Sequence, residues 1–241
     1  MGKINRQEGK MRVGGVRKKM VIWQGREFVF LSCEGVTVGT ANYQMEGIFD
    51  RLKVELRKEQ LSLDHIVRTR LWAVDRKSRE MGSDVRAKYN VGQARAATSS
   101  YIMPAHFASD ALVSLDVVAL RPAITNIQKL LFESSPPRKP LSYLIFDSLL
   151  VLSGKTVVLP SLSAQLDEIL PRITGILLEA GSSWDKVVNV SCYLHQSQTC
   201  NSLRHVFQTL VPVPLPRMEI VAVEGYSAEG KLIEVEVMAE T

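Results

Sequence analysis

The chain has 241 residues, 46% hydrophobic and 23% charged, a composition that excludes a disordered or collagen-like protein and leaves room for one or two packed domains. No apolar run approaches the roughly 18 residues of a membrane span, and the N-terminus lacks the hydrophobic segment of a secretory signal, so a cytoplasmic protein is expected. The net charge of +5 is local: residues 1–20 hold seven Lys or Arg against Glu8 alone, and the remainder is close to neutral, which reads as a solvated basic arm and makes nucleic acid an unlikely partner.

After the arm, residues 21–122 form the first domain expected from the pattern. "FVFLSC" is short and strand-like, and the following "MEGIFDRLKVELRKEQ" places Ile48, Leu52 and Leu56 at helical spacing. "HIVRTRLWAV" is β-branched enough for a buried strand, "REMGSDVRAKYNV" reads as a second helix, and "AATSSYIM" and "LVSLDVVAL" read as two closing strands. Residues 123–140, with Pro136, Pro137 and Pro140 in "FESSPPRKP", are expected to be a linker, with a short helical turn at "NIQKLL".

Residues 141–241 then repeat the order. A shift of 121 residues lays "FLSCEGV" over "VLSGKTV", and pairs Gln44 with Gln165, Ile48 with Ile169, Arg51 with Arg172, Asp64 with Asp185 and Val67 with Val188. A shift of 122 pairs Arg95 with Arg217. The second copy reads "SLLVLSG" as strand, "LDEILPRITGILLEAG" as helix with Pro171 near its start, then strand "KVVNVSCYL", helix "CNSLRHVFQTL" and strands "MEIVAV" and "LIEVEVMA". The fold class is therefore α+β: two tandem domains, each a mixed sheet with two helices on one face.

Several residue types invite chemistry that their spacing does not support. Cys33, Cys192 and Cys200 form no CxxC pair, so reduced thiols and no metal are expected, with His195 and His205 as surface residues. Asp64, Asp185 and Trp184 fit turns entering the central strands, Tyr101 and Met103 fit a core or interface, and "RVGGVR" lacks the Lys-Ser/Thr of a phosphate loop.

The ordered set of a strand ending Ser-Gly, a Gln entering a helix, "WDKVVNVSCYL", an Asn at a helix start, an Arg before an alternating strand and "IEVE" resembles the Rid (YjgF-type) family over residues 25–241. The resemblance implies small domains of chorismate-mutase-like fold, trimeric assembly, no cofactor, and clefts between neighbouring domains where an arginine holds a substrate carboxylate while water attacks an imine or enamine carbon. Carried over by position, the second copy offers Ser153, Gly154, Asn201, Arg217 and Glu234, the last as the glutamate that positions water. The first copy offers Ser32 and Arg95, but has Cys33 in the glycine's place and Ser114 in the glutamate's.

Glu219 departs from the pattern, because strand periodicity puts it on the face of Arg217, where the family has a small side chain or cysteine and the first copy has Ala97. It could pair with Arg217, recognise a cationic nitrogen, or act as a general base. The function expected is a cofactor-free enzyme acting on a carbon–nitrogen bond of a small metabolite. Hydrolysis of an imine, enamine or amide and the reverse condensation use the same groups; the alternative is a non-catalytic binding or scaffold protein of this fold. A homo-oligomer, specifically a trimer, is expected as the assembly.

Overall fold

The computed structural model describes residues 15–23, 25–123, 127–134, 140–211, 213–214 and 218–241. The first sheet contains β1 (Val16–Trp23), β2 (Arg26–Glu34), β3 (Ile66–Ala73), β4 (Ala97–Ile102) and β5 (Val113–Arg121), in the order β1-β2-β5-β3-β4. The second contains β6 (Leu130–Phe132), β7 (Tyr143–Phe146), β8 (Leu149–Leu152), β9 (Val187–His195), β10 (Met218–Val223) and β11 (Ile233–Glu240), in the order β10-β9-β11-β8-β7-β6. The helices are α1 (Ala41–Lys58), α2 (Arg76–Tyr89), α3 (Leu162–Glu179) and α4 (Cys200–Leu210). β3 pairs in parallel with β4, and β9 with β10, because α2 and α4 carry the chain back between them; every other ladder is antiparallel. The two-domain α+β reading is thus the observed architecture.

Each helix begins where a hydroxyl or carboxylate can take an orphan backbone N–H. Thr40 accepts from Tyr43, Asp75 from Ser78, Ser161 from Ala164 and Thr199 from Ser202. The apolar stripe Met45, Ile48, Leu52 and Leu56 then packs α1 onto the first sheet, and Leu166, Ile169, Ile173 and Leu177 pack α3 onto the second. That leaves the opposite face of each sheet uncovered by helix, and the two faces pack on one another. Phe28, Val67, Val118 and Leu120 of the first sheet share one apolar cluster with Leu144, Phe146, Leu149 and Val151 of the second. No described helix is long and apolar enough to cross a membrane.

Three local expectations need correction. β1 begins at Val16, so the arm ends earlier than residue 20; pairing with β2 recruits its basic residues into an edge strand, where charge is well tolerated. Residues 1–14 lie outside the described chain. The "NIQKLL" stretch is no helical turn where described, since Leu130–Phe132 extends the second sheet as β6, and Lys129 is buried with its ammonium donating to the carbonyls of Ile66 (2.8 Å) and Arg95 (2.7 Å). Pro171 sits inside α3, beyond its first turn, although it removes one helical hydrogen bond.

Candidate active site

The sheets meet so that the end of β8 in the second domain abuts β4 of the first. Backbone and side chain stitch the two: the Gly154 N–H donates to the Thr98 carbonyl (3.2 Å), and the Thr98 N–H to the Ser153 hydroxyl (3.2 Å). Gly154 is a glycine because Glu234 lies against it. A Cβ at that position would stand 2.0 Å from the Glu234 carboxylate oxygen. Glu234 itself is buried on β11, opposite Tyr193 of β9, and accepts a hydrogen bond from the Tyr101 hydroxyl of the first domain (3.2 Å).

Two residues further along β11, Glu236 anchors the interface. It is paired with Arg68, which is fully buried, and with Arg70 (2.7 Å), and accepts from the hydroxyls of Ser99 and Tyr101. The Arg68 guanidinium also donates to the carbonyls of Leu152 (3.1 Å) and Val237 (3.2 Å). The neighbouring carboxylates consequently behave oppositely. Burial pushes Glu234 up to about 7, against the pull of Lys231. Burial also opposes ionisation of Glu236, but Arg68 and Arg70 outweigh it and hold the group at about 2.

Above Glu234 opens a cleft of about 850 Å³ between the domains. One wall is Arg79, Ser83 and Arg86 of α2 with Thr98, Ser99 and Ser100 of β4; the other is formed by Ser142, Ser153–Thr156 and the Arg172 face of α3, with Lys231 and Glu234 from the second domain. Arg79 and Arg86 are seven residues apart, hence on one face of α2. Burial and the nearby Arg79 bring Arg86 down to about 10; burial, with Arg172 adding, brings Lys155 down to about 8.

The expected site residues divide between this cleft and other places. Ser153, Gly154 and Glu234 line it together. Glu219 does not: it is exposed on the edge strand β10, in the cross-strand row Glu219–Ser191–Glu236, and accepts from the Ser191 hydroxyl (3.2 Å). Arg217 lies outside the described residues. Asn201 is exposed in the first turn of α4 and does not line the cleft. Arg95 pairs with Glu133, and Ser32 accepts from Arg17 (3.2 Å), both away from the cleft lining.

The strand register also revises the expected internal alignment. Ser114 stands opposite Trp72 as Glu234 stands opposite Tyr193, so serine does occupy the glutamate's place in the first copy. Glu219, however, faces Ser191 as Ser99 faces Arg70, which makes Ser99 its counterpart and not Ala97. Reading one copy at a time missed Arg79 and Arg86, which line the cleft from the other domain, and, although it expected Tyr101 at a core or interface, missed that residue's bond to Glu234; Lys155, adjacent to Gly154, and the heptad-spaced arginines were the available signals.

Residues 136–241 match the family described as Endoribonuclease L-PSP. The chain is 28% identical over 104 residues to AldR of Lactococcus lactis subsp. lactis, provisionally described as a regulator; the match spans 40% of this chain and 82% of that one. Among solved structures, a Rid-family protein of unknown function, YyfA from Yersinia pestis, aligns at 21% identity over 47% of this chain and 99% of its own, with a TM-score of 0.43. A chorismatase aligns across both domains, covering 92% of this chain and 79% of its own at 12% identity and a TM-score of 0.58, so the tandem arrangement is a shared fold. Residues 136–241 are thus a domain of the Endoribonuclease L-PSP family, the YjgF or Rid proteins, joined in one chain to a first domain of the same build.

Proposed function

We propose that the chain is a cofactor-free enzyme acting on a carbon–nitrogen bond of a small metabolite in the interdomain cleft, with Glu234 as its proton-transfer group. One observation carries this reading: a buried carboxyl poised at about 7 forms part of the wall of a large cleft whose other charged groups are mainly cationic. A group with that affinity exchanges a proton with water or nitrogen near neutral pH, as general acid–base catalysis requires.

In imine hydrolysis Glu234 takes a proton from the water that adds to the carbon. With the imine bound as its iminium ion, the resulting neutral carbinolamine receives that proton on nitrogen, and as the carbon–nitrogen bond breaks its hydroxyl gives a proton back to the Glu234 carboxylate, so that a carbonyl compound and ammonia leave. Amide hydrolysis and the reverse condensation need the same transfers. The cations of the α2 wall, with Lys231, hold the substrate's anionic end, a role first assigned to Arg217; Glu219 has no part in this chemistry. Tyr101 orients Glu234 by its hydrogen bond.

Glu234→Gln keeps the shape and the Tyr101 contact but cannot take a proton. Turnover of imines released in situ by an amino-acid oxidase should fall by about a hundredfold or more. In the native protein kcat/KM should rise with pH through about 7, as the carboxylate form needed to take the proton from water accumulates. Full turnover by a folded Glu234→Gln protein would refute the assignment and leave the cleft as a non-catalytic binding site.

A further inference from the structure

We propose that the interdomain cleft is built for a ligand with two separate anionic groups, one held between the walls by Arg79, Arg86 and Lys231 beside Glu234 and the other by Lys155 of the second domain. The inference deepens the functional reading above by naming a substrate class, and rests on it only for the claim that the ligand is transformed.

The lining holds five cationic side chains, Arg79, Arg86, Lys155, Arg172 and Lys231, against Glu179 and Glu234. Arg172 is bound to Glu168 (2.9 Å), and Glu179 accepts from Tyr143 (3.0 Å), so neither serves the centre of the cleft. The other four cations rest mostly on neutral oxygens. Arg86 donates to the Ser99 carbonyl (2.6 Å) and Ser83 hydroxyl (3.5 Å), Lys231 to the Ser227 hydroxyl (2.6 Å), and Lys155 to the Ser142 carbonyl (2.8 Å) and hydroxyl (3.2 Å).

Arg79 donates to the Ser100 hydroxyl (3.3 Å) and lies 3.8 Å from the largely exposed Glu80, while its buried Nε has no acceptor. Burying like charges side by side without counter-charge is unfavourable, and an anion entering the cleft would relieve it.

The cations fall into two groups on chemically different supports. Arg79 and Arg86 face the cleft from α2 and Lys231 stands three residues before Glu234 at the start of β11, whereas Lys155 is turned toward Ser142. The two anions of a ligand therefore meet two anchoring points, with Glu234 at the first. A cleft of about 850 Å³ accommodates such a bifunctional molecule within the usual range of small-molecule sites. The first domain reverses this pattern: the 121-residue shift puts Glu34 where the second has Lys155, and the strand register puts Ser114 where it has Glu234, so the charge arrangement belongs to this one cleft.

Titration calorimetry of the full chain at pH 7 tests this with stable probes, succinate, glutarate and adipate against butyrate, pentanoate and hexanoate, plus inorganic phosphate. At least one dicarboxylate should bind about tenfold or more tightly than its monocarboxylate counterpart. Lys155→Gln should remove that advantage while leaving monocarboxylate binding in place, and Lys231→Gln should weaken both classes; thermal melts establish that each variant is folded. Equal binding of both classes, a preference for phosphate, no binding of any probe, or an advantage that survives Lys155→Gln would overturn the proposal. Because binding is read without turnover, the catalytic reading can fail while dianion binding stands, and the reverse.

Discussion

Gly154 and Glu234 occupy space that allows only one of them a side chain. An alanine at 154 would put its Cβ 2.0 Å from one carboxylate oxygen and 2.6 Å from the carboxyl carbon, so the glutamate must swing away from Tyr101. Gly154→Ala should therefore lower kcat by about a hundredfold, as misplacement by about an ångström does, with an unchanged circular dichroism spectrum. Glu234 also marks stability. Its pKa is raised in the folded chain, so its contribution is full below the ordinary value of 4.5 and is lost as pH rises through about 7. Urea midpoints compared across that window should fall more steeply for the native protein than for Glu234→Gln; equal slopes would mean the carboxyl is not perturbed.

At the scale of elements, β11 against β3 and β4 determines whether a cleft exists at all. Glu236 is shared by Arg68, Arg70, Ser99 and Tyr101, so Glu236→Gln leaves two cations facing each other inside the interface. The expected loss is about 3–5 kcal/mol, read from urea unfolding, because breaking a buried ion pair from one side exposes its full desolvation cost. A loss under about 1 kcal/mol would mean that water reaches the cluster. The helices and most of the repeat register were legible because each depends on periodicity within one copy, whereas Ser153, Gly154 and Glu234 were reached through the family resemblance. Which strand of the other copy lies across from Glu234 was not legible, since nothing local in "AATSSYIM" specifies that Thr98 will meet Ser153. The same blindness misassigned Glu219: strand periodicity fixes a face, but its row is fixed by Ser191 on the neighbouring strand.

For the whole molecule, the two domains leave matching surfaces unmatched. β4 alternates buried and half-buried residues under the second domain, whereas its counterpart β10 exposes Glu219 and Ala222. We expect further copies of the chain to cover that face, giving a homo-oligomer, with a trimer near three times 26.9 kDa as the form sedimentation equilibrium should find; a single species of 26.9 kDa would remove this expectation. The covalent joining of unlike copies has another effect. In a ring of identical subunits every substitution appears in all clefts and on both sides of the assembly at once, so no wall can change without its twin. Here β4 and α2 of one domain face β8 and β11 of the other, and each wall can mutate alone. Fusion has broken the symmetry, and a chemical specialisation that identical subunits would have to repeat at every interface can be confined to one.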